Sequence, residues 1–432
     1  MKTTLTSGEI EKMSAPLNEA LVPFMRRFPG SAGERQPVHT VYGGAHLFKS
    51  DTARKLGEKA MQVLDQHGVD PFTFARAVGI DDSRAETVWR RVVEKLAKEP
   101  VEDFRVDFED GYGNRSDEEE DGHAAFVARE LATGLREGTL PPFSGIRIKP
   151  FTQELMRRGL RTMDIVLSTL LAETGGELPP HFVITLPKIQ LPEQVTLLVD
   201  AFEAMEPRLG LAPHTLRLEF MIETTQSILG ENGESNLPRF LDAARGRAVA
   251  AHFGTYDYTA SCNITAAEQR MDHPACDFAR HMMQVAYSGT GLWLSDGATN
   301  ILPIGDRDTI HRAWALHVAH IRHSLVHAYY QGWDLHPAQL PTRYATVYDF
   351  FLSGLDAATE RLRNFMEKAG QATLVGDVFD DAATGQGLLN YFIRGMNSGA
   401  LTEEEALATG LTLDELRSRS FVKILAGRRN AG

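Results

Sequence analysis

The sequence predicts an α/β protein built on a (β/α)8 TIM barrel, with an N-terminal arm, a helical insertion after strand 1 and a C-terminal helical extension. Short apolar or β-branched segments recur eight times along the chain. Each is followed by a polar or glycine-containing turn and then by a segment with helical periodicity. Eight alternations of strand and helix favour a closed barrel over an open sheet.

The predicted elements divide the chain into three regions. The strands are predicted at residues 38–42, 104–108, 145–149, 182–187, 216–222, 248–253, 291–295 and 333–336. Amphipathic helices are predicted between them, for example over residues 194–205 and 311–330. We therefore predict an N-terminal arm over residues 1–36, a barrel domain over 37–342 with a helical insertion at about 51–101, and a C-terminal helical region over 343–432.

Composition excludes several classes of partner. The chain has 432 residues, with 45 Lys and Arg against 58 Asp and Glu, and a formal net charge of −13. An acidic chain without a basic cluster predicts no nucleic-acid partner, because phosphate neutralisation dominates such binding. The sequence has neither a membrane-spanning apolar stretch nor the apolar segment of a secretion signal, so no membrane partner is expected. Two unpaired cysteines indicate a reducing compartment, and we predict a cytoplasmic homo-oligomer.

Charged side chains follow almost every predicted strand. Because the carboxyl ends of barrel strands form the active site, charges there are the most informative. These residues are His46, Glu109, Asp110, Arg147, Lys149, Lys188, Glu223, Asp257, Asp296 and His336. Arg147 and Glu223 stand inside or beside apolar strands, where an unpaired charge would cost several kcal/mol. We therefore expect these side chains to converge on one rim of the barrel.

The types of charge at this rim predict a metal-assisted reaction. Glu223 and Asp257 follow neighbouring strands, and carboxylate pairs suit Mg²⁺. The guanidinium of Arg147 across the mouth would clamp a 2-oxo acid, and metal and guanidinium together would stabilise an enolate. Reactions that need the enolate of a small oxo acid or thioester form or cleave carbon–carbon bonds. We expect Arg147, Lys149 and Lys188 to bind the anionic substrate.

Six motifs support this interpretation by their order. They are VDFEDGYG, RIKP, ITLPKIQ, LEFMIETTQSIL, HFGTYDYT and WDLHPAQL. Together they resemble the HpcH/HpaI aldolase and citrate lyase beta-subunit-like family of the phosphoenolpyruvate/pyruvate barrel superfamily. The resemblance implies that Glu223 and Asp257 bind Mg²⁺, with Mn²⁺ as a substitute, and that Arg147 binds substrate oxygens. It also implies that Glu109 and Asp110 hold metal-bound waters or handle protons. His336 with its neighbours is expected to be mainly structural.

The chain also departs from the pattern of the CoA-ester lyases in this family. It reads GGAH where those enzymes carry a PGDR-like turn, so His46 stands where an Arg would. Lys149 replaces the usual asparagine after the substrate-binding Arg, and about fifty residues are inserted after strand 1. These differences favour a free hydroxy- or oxo-acid substrate, with His46 as a general base. A CoA-thioester lyase, a malate-synthase-like condensing enzyme and a non-catalytic metal-binding barrel stay as alternatives.

Three further patterns yield separate hypotheses. Lys188 or Lys149 could form a Schiff base, although an ion pair between Lys188 and a rim carboxylate is the simpler interpretation. The histidines at positions 317, 320, 323 and 327 have helical spacing, and we expect them to line a helix surface or a subunit contact rather than a metal site. In the C-terminal region, Asp380 or Asp381 could reach a neighbouring subunit's pocket.

Overall fold

A computed structural model of the chain describes residues 3–30, 34–367, 373–375, 378–380, 382–418, 420, 423–424 and 427. Ten strands occur in these residues: β1 His39–Gly44, β2 Asp103–Asp107, β3 Phe143–Arg147, β4 Val183–Leu186, β5 Arg217–Ile222, β6 Ala248–Phe253, β7 Trp293–Ala298, β8 Gln331–Asp334, β9 Thr373–Val375 and β10 Val378–Asp380. The first eight pair in parallel and in chain order, and β8 closes the barrel on β1. The predicted fold class is confirmed, and each predicted strand overlaps an observed one.

Helices cover the outside of the barrel and extend beyond it. In the described residues they are α1 Ser7–Arg27, α2 Thr52–Val63, α3 Pro71–Val78, α4 Asp82–Lys98, α5 Asp117–Glu137, α6 Met156–Thr174, α7 Pro192–Met205, α8 Thr225–Ile228, α9 Leu237–Ala243, α10 Thr255–Ser261, α11 Pro274–Tyr287, α12 Arg307–Val326, α13 Leu340–Ser353, α14 Leu355–Glu367, α15 Ala382–Asn397, α16 Glu403–Leu407 and α17 Leu413–Ser418. None of them has the combination of length and apolar character needed to cross a membrane.

The segment inserted between β1 and β2 folds as three helices, α2 to α4. Asp70 caps α3, because its side chain accepts the backbone N–H groups of Phe72 and Thr73. Gly79 ends α3 with φ +68°, a left-handed conformation that glycine adopts without steric cost. Helix α4 then packs against α13, which follows β8 and begins before residue 343. The inserted helices thus lie on the barrel wall beside its last helix.

The strand register brings the charged residues of the rim together. In the pairing of β2 with β3, Asp107 stands opposite Arg147. In the pairing of β5 with β6, Ile222 stands opposite Phe253, so that Glu223 and Gly254 leave the barrel side by side. Parallel strands present their carboxyl ends at one edge, and the closed barrel turns that edge into a ring.

The histidines of α12 separate into two groups, and the surface prediction is wrong for the first. His317 and His320 are buried. His317 bonds through its two ring nitrogens to Thr342 and Asp334, and the Nδ1 of His320 lies 2.9 Å from the Thr299 hydroxyl. These contacts satisfy both imidazoles inside the protein. His323 and His327, one and two turns further along, are only partly buried and face α11.

Candidate active site at the carboxyl ends of the strands

Arg147, the last residue of β3, is fixed in a buried position by an acidic partner and an aromatic ring. Its Nε and Nη2 donate to the two carboxylate oxygens of Asp107 at 2.7 and 2.5 Å. Its Nη1 lies 3.3 Å from Glu109 Oε2, and the guanidinium stands 4.8 Å from the ring centroid of Tyr42. A guanidinium has five N–H donors, so Asp107 leaves donors on both terminal nitrogens for a ligand.

Glu223, directly after β5, is a buried carboxylate at the same rim. Its Oε1 accepts the backbone N–H of Lys188 at 2.7 Å. Residue 254 must be glycine here, because an added Cβ would lie 2.5 Å from Glu223 Oε2. Lys188 itself has φ +51°, a left-handed conformation that a non-glycine residue adopts only when its surroundings impose it. The turns after β4 and β6 are therefore shaped around this carboxylate.

The ammonium of Lys188 lies among three further carboxylates. It forms a short ion pair with Glu109 and stands 3.0 Å from Asp110 Oδ2 and 3.3 Å from Asp257 Oδ2. Glu109 contacts Arg147 through its other oxygen, so it joins the two cations. The side chain of Asp257, in the first turn of α10, is 40% exposed, which places it at the solvent edge. We call this connected set the rim cluster: Asp107, Glu109, Asp110, Arg147, Lys188, Glu223 and Asp257.

The electrostatics of the rim cluster favour an additional cation. Burial raises the pKa of Glu223 to about 8, and Asp257 and Glu109 add to the rise, while Lys188 and Arg147 oppose it. Burial also raises the pKa of Glu109. For Lys188 burial disfavours the charge, but the carboxylates of Glu223, Glu109 and Asp110 outweigh it and raise the pKa. These shifts show that the negative charge of the carboxylates is not fully balanced by Lys188 and Arg147.

A divalent cation fits this donor set. The rim cluster has five carboxyl groups and two basic side chains, so its ionised form carries excess negative charge. Its donors are oxygens, which hard ions such as Mg²⁺ prefer. Glu223 and Asp257 come from adjacent strand ends, and the Lys188 ammonium shows that a cation is accommodated between the surrounding oxygens. The predicted ion pair between Lys188 and rim carboxylates is confirmed.

Lys149 is not part of this cluster. Its ammonium donates to the Phe108 carbonyl at 2.7 Å, lies 3.1 Å from Glu120 Oε2 and stands 5.2 Å from the ring centroid of Tyr112. Glu120 is fully buried although it lies in the first turn of α5, directly after three exposed acidic residues at positions 117–119. Lys149 and Glu120 therefore tie α5 to the loop after β2.

His46 lies beside Tyr112, in the turn after β1. The two ring centroids are 5.8 Å apart, and the Tyr112 hydroxyl lies 2.8 Å from His123 Nδ1. The Nδ1 of His46 is buried without a hydrogen-bond partner among the described residues. Burial lowers the pKa of His46, and the charges of Arg115 and His123 add to this effect. The lowered pKa favours the neutral imidazole, which is the form that accepts a proton.

The other predicted rim charges are structural or lie beyond the described residues. Asp296 is fully buried and bonds to Arg280 at 2.9 and 3.1 Å. His336 caps the turn that follows β8 by accepting the backbone N–H of Ala338, in agreement with a structural role. Asp381 lies outside the described residues, and only the backbone of Asp380 is described. The structure leaves the predicted contact of this region with a neighbouring subunit untested.

Sequence reasoning missed Asp107, Tyr42 and Glu120. A signal for the first was available: Asp103, Arg105 and Asp107 alternate with apolar residues along β2. Such alternation in a barrel strand directs one set of side chains inward. The position of Tyr42 under Arg147 depends on the pairing of strands that are distant in the chain, and no local pattern reveals it.

Several solved structures are similar to this chain. A citrate lyase from Burkholderia xenovorans LB400 is 20% identical, covers 87% of this chain and 97% of its own, and superimposes with a TM-score of 0.59. CitE from Mycobacterium tuberculosis, in complex with magnesium, acetoacetate and coenzyme A, is 14% identical over 84% and 97% of the two chains, with a TM-score of 0.47. The magnesium/glyoxylate complex of Haloferax volcanii malate synthase is 14% identical over 90% and 96%, with a TM-score of 0.48.

At 20% identity, the similarity to the citrate lyase shows a common fold and nothing finer. A search of curated protein sequences finds no significant match. A family model, in contrast, matches residues 17–424, which include the barrel, the inserted helices and most of the C-terminal region. This chain therefore belongs to the family described as "Domain of unknown function (DUF6986)".

Proposed function

We propose that this protein is a Mg²⁺-dependent carbon–carbon lyase that cleaves or forms an aldol-type bond in a hydroxy- or oxo-acid through a pyruvate-like enolate. The observation that carries the proposal is the continuity of the rim cluster. Glu109 contacts the guanidinium of Arg147 with one oxygen and the ammonium of Lys188 with the other. Lys188 in turn contacts Asp257 with its ammonium and Glu223 with its backbone N–H. An anion clamp and a pair of carboxylate ligands thus share one mouth.

Glu223 and Asp257 are the residues proposed to hold Mg²⁺, with Mn²⁺ as a substitute. When bound, the cation supplies Lewis-acid polarisation of a substrate oxygen. Arg147 binds the carboxylate or carbonyl oxygens of the acid through the N–H groups that Asp107 leaves unused. Asp107 and Tyr42 fix the plane of the guanidinium before substrate arrives, so that little reorganisation is needed.

Proton transfer is proposed for groups around the clamp. In the cleavage direction, a base removes the proton of the substrate hydroxyl, the carbon–carbon bond breaks, and the enolate carbon then receives a proton. Burial raises the pKa of Glu109, which favours an acid–base role near neutral pH. His46 is the second candidate base, because its imidazole is neutral. Lys188 holds Glu109 and Asp110 in place. We assign Lys149 to positioning the loop after β2 rather than to substrate binding.

The same contacts argue against a Schiff-base mechanism. A lysine that attacks a carbonyl needs a lowered pKa, which burial or a neighbouring cation provides. Lys188 is instead surrounded by carboxylates that outweigh its burial and raise its pKa. Lys149 is paired with Glu120. We therefore expect borohydride to leave both lysines unmodified in the presence of pyruvate.

The test is exchange of the pyruvate methyl protons for deuterium, followed by NMR in D₂O with Mg²⁺ or Mn²⁺. We expect metal-dependent exchange by the full-length protein. Glu223→Gln and Asp257→Asn should each lower the rate by about 10²–10³-fold, the cost of removing one preorganised electrostatic stabiliser. Glu268→Gln is the matched control, because this exposed glutamate lies outside the rim cluster.

The outcomes separate the alternatives. Unchanged exchange in EDTA, or in either variant, would contradict the proposal. Exchange absent at every metal concentration would indicate a barrel that binds metal without this chemistry. Saturable binding of CoA in a calorimetric titration would direct the proposal toward a CoA-ester lyase or a condensing enzyme.

A further inference from the structure

A second group of metal-ligating side chains lies between α11 and α12, outside the barrel. Asp277 and His281 are one helical turn apart on α11, and His323 and His327 are one turn apart at the end of α12. The ligand atoms of Asp277, His323 and His327 all lie within 4.8 Å of one another, and these residues are partly buried. Among the described residues, this is the group of three that meets such a spacing.

The contacts within the group orient its donors. The Nδ1 of His327 donates to the His323 carbonyl at 2.8 Å, which leaves Nε2 as the lone-pair nitrogen. An imidazole that donates its other N–H to a backbone carbonyl is the usual arrangement of a metal-binding histidine. The rings of His323 and His327 are 4.4 Å apart, and the exposed ring of His281 is 5.5 Å from His327. Three donors thus lie together between two helices, with the ring of His281 next to that of His327.

Arg280 contacts two of these ligand atoms, and its charge is shared with a second carboxylate, that of Asp296. Its Nη1 bonds to both carboxylate oxygens of Asp296, and its Nη2 donates to Asp277 Oδ1 at 2.5 Å and lies 3.2 Å from His323 Nε2. Burial alone would raise the pKa of Asp277, but bonds from Arg280 and His323 outweigh it and lower the pKa, so the carboxylate is ionised. No bond among the described residues engages its second oxygen.

The donor set selects the type of ion. Three imidazoles and one carboxylate suit Zn²⁺ and similar transition metals rather than Mg²⁺, which prefers oxygen. In a tetrahedral zinc site with bonds of about 2.0–2.1 Å, neighbouring ligand atoms lie roughly 3.3 Å apart. The present spacing of up to 4.8 Å must therefore shorten when an ion binds, and the three residues that would move are only partly buried.

We propose that Asp277, His281, His323 and His327 form a Zn²⁺ site that ties α11 to α12. The ion replaces the hydrogen bond between His323 Nε2 and Asp277 Oδ1, which are 2.8 Å apart, and displaces the Nη2 of Arg280 from both atoms. The site is independent of the proposed lyase chemistry, because none of the four residues belongs to the rim cluster. Its role is structural, since it joins the helix that precedes β7 to the helix that follows it.

The experiment is a calorimetric titration of the EDTA-treated and dialysed full-length protein with ZnCl₂, with MgCl₂ in excess so that the rim carboxylates are occupied. We expect one zinc ion per chain. His323→Ala and His327→Ala should each weaken binding by at least about tenfold, because even the loss of a residue behind a metal ligand costs 10–100-fold. His311→Ala, on the same helix but bonded to the His67 carbonyl, should bind like the native protein.

Two further measurements locate the ion. Co²⁺ should give the intense visible absorption of a tetrahedral site in the native protein and in Asp257→Asn, but not in His327→Ala. Zn²⁺ should raise the melting temperature of the native protein, and His281→Ala, which removes an exposed side chain, should reduce that shift. Zinc binding that is lost in Asp257→Asn but retained in His327→Ala would place the ion at the rim and overturn the proposal. Absence of saturable binding in the native protein would do the same.

Discussion

Two charged clusters of the same barrel differ in their exposure to solvent and in how their glutamates respond to burial. The interior cluster is shielded from solvent and consists of Asp103, Arg105, Glu219 and His252. Arg105 donates to both oxygens of Glu219 at 2.7 and 2.8 Å and also pairs with Asp103, and the side chains of these three residues are at most 4% exposed. The rim cluster has more carboxylates than cations, and Asp110 and Asp257 are partly exposed to solvent.

The difference shows which charges serve the fold and which serve a ligand. In the interior, burial would raise the pKa of Glu219, but Arg105 and His252 outweigh it and hold the pKa well below its usual value. For Asp103, the other interior carboxyl group, burial prevails and raises the pKa. At the rim, burial prevails and the pKa of Glu223 rises to about 8. A carboxylate whose charge is already matched stabilises the barrel, whereas one left under-compensated is ready for an incoming cation.

The largest effect should come from breaking the interior cluster. Arg105→Met leaves two buried carboxylates without their cation, and we expect the free energy of unfolding to fall by about 3–5 kcal/mol. The urea midpoint of unfolding measures this loss. Arg270→Met is the control, because its ion pair with Asp272 is exposed and should contribute about 0–1 kcal/mol. Equal losses in the two variants would show that the interior cluster is not the stabilising one.

At the rim, a substitution that retains the positive charge should still damage function. Arg147→Lys retains the charge but loses the two parallel bonds to Asp107, so the clamp is no longer held in one plane. We expect metal-dependent pyruvate exchange to fall about 10²-fold, with its rate measured against pyruvate concentration. Arg161→Lys, an exposed surface change, should exchange like the native protein. Full activity in Arg147→Lys would remove Arg147 from the proposed clamp.

The pH dependence of stability distinguishes the clusters further. The pKa of Glu223 rises from 4.5 unfolded to about 8 folded, so in metal-free protein the folded state binds more protons in this window. The contribution of Glu223 to the free energy of unfolding should be fully present below pH 4.5 and should decline as the pH rises toward 8. The expected loss is about 2 kcal/mol between about pH 5.5 and pH 7. Glu223→Gln in EDTA should lack this decline. Parallel pH profiles for the two proteins would contradict the assignment.

The fold was predictable from the sequence because barrel strands and helices have local signatures. The strand at residues 248–253 coincides with β6, and β1 differs from its prediction by two residues at its carboxyl end. The sequence also allowed three rim residues to be predicted, because they follow or end apolar strands: Glu223, Asp257 and Arg147. Their position next to one another follows from parallel pairing, which the alternation of strands and helices already implies.

Other features depend on packing that no local pattern encodes. Lys149 stands after a strand like the other rim residues, but its side chain turns to the buried Glu120 on α5. His317 and His327 share one periodic series, yet the first bonds to Asp334 on β8 and the second stands beside His281 on α11. Periodicity places a residue on a helix face, whereas the neighbour that meets this face is set by tertiary structure.

Tyr42 connects the two clusters, and it should give the smallest and most selective effects. Its ring lies under Arg147 at the rim, and its hydroxyl stands 3.3 Å from His252 Nδ1, which also accepts from Trp333 at 3.2 Å. Tyr42→Phe removes only the hydroxyl contact, so we expect a stability loss of about 0.5–1 kcal/mol and unchanged exchange. Tyr42→Leu also removes the ring, and exchange should fall about two- to tenfold, the range of a cation–π contact.

Comparison of the two variants tests whether the clusters are energetically separate. If Tyr42→Phe lowers exchange as much as Tyr42→Leu, the interior histidine influences the rim through the hydroxyl, and the separation of a structural cluster from a functional one fails. If only the leucine variant loses exchange, the ring acts as a platform for Arg147. In that case a single residue supports the guanidinium above it while its hydrogen bond stabilises the closed network below.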